Sequence, residues 1–165
     1  MLDEVFADLD SLDLGQSVVD IGAGFGYSTR YLLSRGLRVC AVDVDPGVLS
    51  SLGAAFGEFV KVGLLKLYHA PAEHLPLRDG ECDSAVSIMA LHHFKNVEAA
   101  LREMLRVAKK LVLVYDWAPS TGGVTNPHSP AELKAKMEES VSIAKRLGFE
   151  VAYAEAWYKL AKRKA

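Results

Sequence analysis

The feature that most constrains this chain is a short apolar run, residues 17–21. It ends in Asp20-Ile21-Gly22-Ala23-Gly24-Phe25-Gly26 and leads into helical spacing at Tyr27, Tyr31, Leu32 and Leu33. A strand, a glycine turn and a helix in that order open a βαβ unit. Glycine has no Cβ, so the chain can turn sharply there and a ligand can approach the backbone closely. The helix start beyond it offers unpaired N–H groups and a partial positive charge. Such a turn alone points to a nucleotide of some kind, and a tight turn with no ligand is the alternative. Spacing narrows the choice. The dinucleotide fingerprint G-x-G-x-x-G would place its third glycine where Tyr27 stands. The bulk of Tyr27 is expected to hinder pyrophosphate approach, which disfavours a nicotinamide dehydrogenase.

Along the rest of the chain, helical and strand patterns alternate. Residues 2–13 have helical spacing, 37–44 read as the second strand, and 46–56 as a helix with Asp45 as its cap and Pro46 in its first turn. Strands follow at 62–69 and 83–89, then a helix at 97–108 and a strand at 110–116. A loop rich in Gly, Pro, Ser and Thr covers 117–129, before a helix at 130–147 and closing strands at 149–153 and 157–161. Near-continuous apolar strands alternating with helices predict a parallel sheet covered on both faces. The last two strands are joined too tightly for a helix, so they must be antiparallel. The expectation is an α/β fold in one domain over residues 1–165. Its sheet is doubly wound, Rossmann-like, mostly parallel and seven-stranded, with an antiparallel strand near the C-terminal edge.

Nineteen basic residues against twenty-one acidic ones leave no global field to recruit nucleic acid or an anionic membrane. Only Lys159, Lys162, Arg163 and Lys164 make a local basic run, which a solvated terminal strand explains as well as a phosphate contact does. Cys40 and Cys82 belong to no CxxC motif and read as small buried hydrophobes. Five histidines with no HxxxH spacing look scattered, so no metal site is expected. Acidic residues interrupt the N-terminus and no apolar stretch approaches a membrane span, so a cytoplasmic protein is expected.

A second acidic residue extends the glycine loop. Asp43 closes the second strand, near the spacing at which such folds set a carboxylate on ribose hydroxyls. Ionised, it can accept both hydroxyl protons. Capping the next helix is its alternative role, but Asp45, directly before Pro46, suits that better.

Four segments in order now carry a resemblance: Val18 to Gly26; Ala41-Val42-Asp43-Val44-Asp45; Ala72-Glu73-His74-Leu75-Pro76; and Asp83 through Ala90-Leu91-His92-His93-Phe94. The chain resembles the class I S-adenosylmethionine-dependent methyltransferases, in particular the UbiE/type-11 group, from about residue 15 to the end. The resemblance implies that fold and S-adenosyl-L-methionine as cofactor. It implies that Asp20 and the loop of Gly22, Ala23, Gly24 and Gly26 hold the methionine portion. Asp43 would bind ribose, Val44 would pack on adenine and the Ala72 N–H would meet the adenine edge, with Glu73 beside it. Ser87 and Met89 would line the sulfonium end. One position departs from the family: Pro71 stands where a polar residue usually accepts from the adenine amine, leaving His69 or Glu73 to compensate.

Methyl transfer from a sulfonium is an in-line displacement in which the protein supplies mainly position and electrostatics. A base is needed only if the acceptor must lose a proton. Candidates are His92, His93, Tyr115, Asp116 and His128, with Asp116, Trp117 and His128 as substrate contacts. The histidine pair is either catalytic or a structural pair, one ring packed and one hydrogen-bonded. With little chain before the first strand, the site is expected to be open unless the 117–129 loop, residues 1–13 or a second copy in a homodimer covers it. The expected acceptor is a small molecule. The alternatives are a cofactor-binding partner subunit without catalysis, and an RNA or protein methyltransferase supported only by the basic tail.

Overall fold

The computed structural model describes residues 2–123 and 127–164. In chain order the elements are α1 (Leu2–Asp10), β1 (Ser17–Ile21), α2 (Tyr27–Ser34), β2 (Arg38–Asp43), α3 (Pro46–Ala55), α4 (Gly57–Lys61) and β3 (Leu65–His69). The second half holds β4 (Cys82–Ile88), α5 (Val97–Val107), β5 (Ala108–Trp117), α6 (Pro130–Arg146), β6 (Glu150–Tyr153) and β7 (Trp157–Arg163). Short 3-10 turns at Leu91–His93 and Pro119–Thr121 follow β4 and β5. The seven strands form one sheet in the order β3-β2-β1-β4-β5-β7-β6. The first five are mutually parallel, and β7 runs antiparallel to both neighbours. This is the Rossmann-like, doubly wound arrangement expected, with the reversed strand one place in from the edge.

Strand alternation divides the core into two layers. Val19, Ala85, Val112 and Val114 face one side, where α5 and α6 bring Leu101, Met104, Val141 and Ala144. Val18, Val86, Leu113 and Tyr115 face the other, against Val5 and Leu9 of α1, Leu32 and Leu33 of α2, and Leu52 of α3. Side-chain caps fix the starts of α3, α5 and α6: Asp45 accepts from the Gly47 N–H at 2.8 Å, Asn96 from Ala99 at 3.0 Å and Ser129 from Glu132 at 3.1 Å. Each such cap contributes about 1 kcal/mol.

Three boundaries differ from the expectation for identifiable reasons. β3 begins at Leu65, because the chain first makes α4 and then turns at Gly63 (φ +79°), whose N–H donates to the Val60 carbonyl. β5 and β7 are longer than the apolar pattern suggested, because they pair continuously from Leu111↔Arg163 to Trp117↔Trp157. The 117–129 loop contains the Pro119–Thr121 turn, and its residues 124–126 lie outside the described residues. The basic tail is part of the scaffold. Lys159 pairs with Asp8 at 2.6 Å, Lys162 donates to the Leu147 carbonyl at 2.6 Å, and Lys164 donates to the Ala108 carbonyl at 2.7 Å. Three of the four basic side chains of that run are thus engaged within the fold. Among the described residues, no helix is long and apolar enough to cross a membrane.

Candidate active site

β1 and β4 lie side by side, but one connection leads from β1 toward β2 and the other from β4 toward β5. Such a switch point leaves a crevice at the carboxyl ends of the strands. Two turns meet across it. The glycine loop leaves β1 with the Gly22 and Ala23 N–H groups donating to the Val42 carbonyl at 2.8 and 3.3 Å. Gly22 has φ +75°, and a Cβ there would lie 2.4 Å from Cβ of Ala90, in the turn after β4. No other residue fits that conformation at that distance. At Gly26 (φ +92°) a Cβ would meet the Leu52 side chain at 2.9 Å, so this glycine lets α2 lie against α3. Tyr27, at the start of α2, is 62% exposed.

Two carboxylates frame this loop in opposite environments. Asp20 is fully buried. Its Oδ2 accepts from the Ser28 and Thr29 hydroxyls at 2.8 Å each, while Oδ1 has no partner among the described residues. Burial pushes its carboxyl up to about 6, against the pull of those two hydroxyls and with a contribution from the charge of Asp43. Asp43 is half-buried at the end of β2. Its Oδ2 accepts from the Gly24 N–H and its Oδ1 from the Asp45 N–H, both at 3.0 Å. Each oxygen keeps lone-pair capacity for a ligand. Asp45 takes the capping role, as expected.

Around them, Val44 is 62% and Phe25 96% exposed, an apolar rim beside the loop. The Val44 carbonyl accepts from His69 Nε2 at 2.9 Å. Ala72 is buried and Pro71 exposed. Glu73 goes elsewhere: its carboxylate accepts from the Asn96 N–H at 2.9 Å, at the start of α5. Ser87 is buried in β4, with no partner for its hydroxyl among the described residues. Met89 has φ 59°, a conformation that costs a bulky residue about 1–3 kcal/mol. Its N–H donates to the Tyr115 carbonyl at 2.7 Å, which turns the chain out of the sheet into Leu91–His93.

Beyond that turn the histidines gather. His92 Nδ1 donates to Asp116 Oδ1 at 2.7 Å, and the Asp116 side chain is only 1% exposed. The rings of His92 and His93 are 4.0 Å apart between centroids, and His128 lies 5.0 and 5.3 Å from them. His128 Nδ1 in turn meets Glu132 Oε2 at 3.3 Å. The histidines are therefore not scattered, because three of five converge. Burial, then the charges of His92 and His128, hold His93 below the usual imidazole range.

Tyr115 does not belong to this group. Strand alternation turns it to the opposite face, where its hydroxyl donates to Asp8 at 2.5 Å and its ring packs on Trp157. Trp117 is half-buried at the end of β5, paired with Trp157. His128 was expected as a candidate base or substrate contact, independently of the histidine pair. Its meeting with His92 and His93 had no local signal, since the fold alone brings the segment before α6 over the turn after β4.

A family model described as "methyltransferase domain" matches residues 19–115, more than half of the chain. A demethylmenaquinone methyltransferase of Thermobifida fusca is 34% identical over 95 residues, 58% of this chain and 40% of that protein. An uncharacterised methyltransferase of Mycobacterium tuberculosis is 39% identical over 92 residues, 56% of this chain and 35% of that protein. This chain thus spans well under half the length of those relatives. Among solved structures, an S-adenosylmethionine-dependent methyltransferase of Aquifex aeolicus superposes with a TM-score of 0.74 at 21% identity, covering 96% of this chain and 88% of that one. The sheet order, the glycine turn at its switch point and the match over both turns lead to one conclusion: the chain belongs to the methyltransferase domain family.

Proposed function

We propose that the chain binds S-adenosyl-L-methionine along the crevice at the carboxyl ends of β1 and β4, and that a small molecule is methylated there. The observation that carries this reading is the loop between Asp20 and Asp43: a backbone turn with no room for a side chain at Gly22, flanked by a buried carboxylate with one unused oxygen and a second carboxylate at the end of β2. These residues fit the group. The unused Asp20 oxygen is an acceptor suited to an ammonium, directly or through water, and Asp43 has acceptor capacity for a diol. Exposed Val44 offers a flat apolar face for a base, with buried Ala72 nearby in the chain segment after β3. The solved neighbour from Aquifex aeolicus, an S-adenosylmethionine-dependent methyltransferase, supports the same cofactor.

When bound, the cofactor supplies an electrophilic methyl group on a sulfonium. The loop of Gly22, Ala23, Gly24 and Gly26 lets the backbone come close to it. Asp43 would hold the ribose, and Ser87 on β4 and Met89 at its exit would line the sulfonium end. His92 can take the acceptor's proton at Nε2, because Asp116 holds its Nδ1–H and would stabilise the imidazolium formed. His93 is the more exposed of the pair and would meet the acceptor. A cytoplasmic setting suits the two free thiols, Cys40 and Cys82.

Isothermal calorimetry with S-adenosylmethionine tests binding, and transfer of a labelled methyl group into fractionated small-molecule extract tests activity. Binding without any labelled product would leave a cofactor-binding role and remove the enzymatic one. Label appearing only in RNA or protein would replace the small-molecule acceptor.

A further inference from the structure

The convergence of His92, His93 and His128 goes beyond methyl transfer. Each offers one ring nitrogen, and these nitrogens all lie within 4.8 Å of one another. In a tetrahedral site with metal–nitrogen bonds of about 2.0–2.1 Å, neighbouring nitrogens sit roughly 3.3 Å apart. The widest gap here must close by about 1.5 Å on that basis. His93 is exposed and His128 half-buried, so side-chain rotation can supply the movement.

Three further observations favour a cation over mere packing of three rings. First, His92 is backed by a buried carboxylate, Asp116, at 2.7 Å, the partner that metal-ligating histidines usually have on their other nitrogen. With Nδ1 used there, Nε2 remains as the ligand. His128 repeats the arrangement more loosely, its Nδ1 facing Glu132. Second, His92 and His93 stand side by side on the Leu91–His93 turn with ring centroids 4.0 Å apart, so one short segment presents two of the ligands. Third, the nearby charge is mainly negative. Asp116 contacts His92 and Glu132 contacts His128, the charge of Asp43 acts on His93, and Lys136 is occupied by the Phe94 carbonyl at 2.7 Å.

We propose that His92, His93 and His128 bind a divalent transition-metal ion of the zinc class, oriented by Asp116 and leaving a fourth position open at the carboxyl edge of the sheet. Three neutral imidazoles exclude calcium and magnesium, which take oxygen ligands, and select zinc, nickel, copper or ferrous iron. Three protein ligands with an open position is the pattern of reactive rather than structural zinc. The open position takes water, or an oxygen or sulfur of a small molecule. A hydroxyl or thiol held there would release its proton to solvent more readily. Coordination and proton acceptance use the same His92 lone pair, so a loaded site replaces the base role rather than adding to it.

The test needs no methyl transfer and stands or falls separately from the proposed cofactor. Untagged protein, stripped with a chelator, is titrated with Zn2+ by calorimetry and with Co2+ by visible spectroscopy. The expected result is one ion per chain, with tetrahedral cobalt bands lacking thiolate character. His128→Ala and His93→Ala should each weaken binding by at least ~100-fold, Asp116→Asn by roughly 10–100-fold, and His74→Ala, on an exposed surface, not at all. Thermal unfolding of each variant checks that the fold persists. No binding by the parent protein, or binding unchanged in both histidine variants, would overturn the proposal.

Discussion

The two turns that face each other across the switch point are built by different means. The glycine loop is made of backbone: its shape follows from positive φ values that favour glycine and from carbonyl and carboxylate contacts within one βαβ unit. The histidine cluster is made of side chains, brought together from the turn after β4, the end of β5 and the segment before α6. The difference teaches which parts of a site tolerate substitution. A backbone site fails when a Cβ is added, whereas a side-chain site keeps its fold and loses only its chemistry.

The largest effect should come from Gly22→Ala. It combines a left-handed backbone with a Cβ 2.4 Å from that of Ala90. The expected cost is about 3 kcal/mol, read from the denaturant midpoint. A variant as stable as the parent would mean that the loop is not confined by its backbone.

Asp20→Asn separates burial from charge. A carboxyl raised from 3.8 to about 6 on folding stabilises the protein fully below its unfolded value. That contribution is lost as pH rises through 6, leaving a penalty of roughly 3 kcal/mol at neutral pH. The difference in stability between parent and Asp20→Asn should therefore change between about pH 4 and 6, in favour of the variant at higher pH, and be flat above. Urea unfolding at a series of pH values checks this, and a difference independent of pH would place the proton elsewhere.

Asp116→Asn addresses the other side of the comparison. Losing the carboxylate that holds His92 should lower kcat by about 100-fold, with KM little changed. An altered pH profile should accompany it, and stability should move by no more than about 2 kcal/mol. Collapse of the fold instead would make the cluster structural. The smallest effect is expected from Tyr115→Phe. It removes the hydrogen bond to Asp8, which Lys159 still pairs, and should cost about 1 kcal/mol with no change in methyl transfer. Lost activity with intact stability would return Tyr115 to the site.

The same contrast explains what could be read from the sequence. The glycine loop, Asp43 and the cap at Asp45 are local: spacing within one unit determined where each would lie. The alternating pattern likewise foretold the sheet and its reversed strand. Tyr115 was misplaced because its position at the end of β5 was legible but its face was not, and one residue's shift reverses the side chain. Glu73 follows the expected motif in sequence, yet its carboxylate meets the Asn96 N–H through packing that no motif encodes. The histidines looked scattered because their meeting depends on where α6 starts relative to β4, a tertiary relation. The basic tail shows the same limit, since its lysines donate to backbone carbonyls and pair with Asp8 within the fold, contacts that the sequence does not mark.

The central claim is that the loop between Asp20 and Asp43 holds S-adenosylmethionine. Calorimetric titration of the parent chain and of Asp43→Ala with that cofactor tests it most directly. The account predicts saturable binding by the parent and a loss of about 100-fold or more in the variant, with thermal unfolding little changed. No heat of binding by the parent, or equal affinity in both proteins, would contradict it.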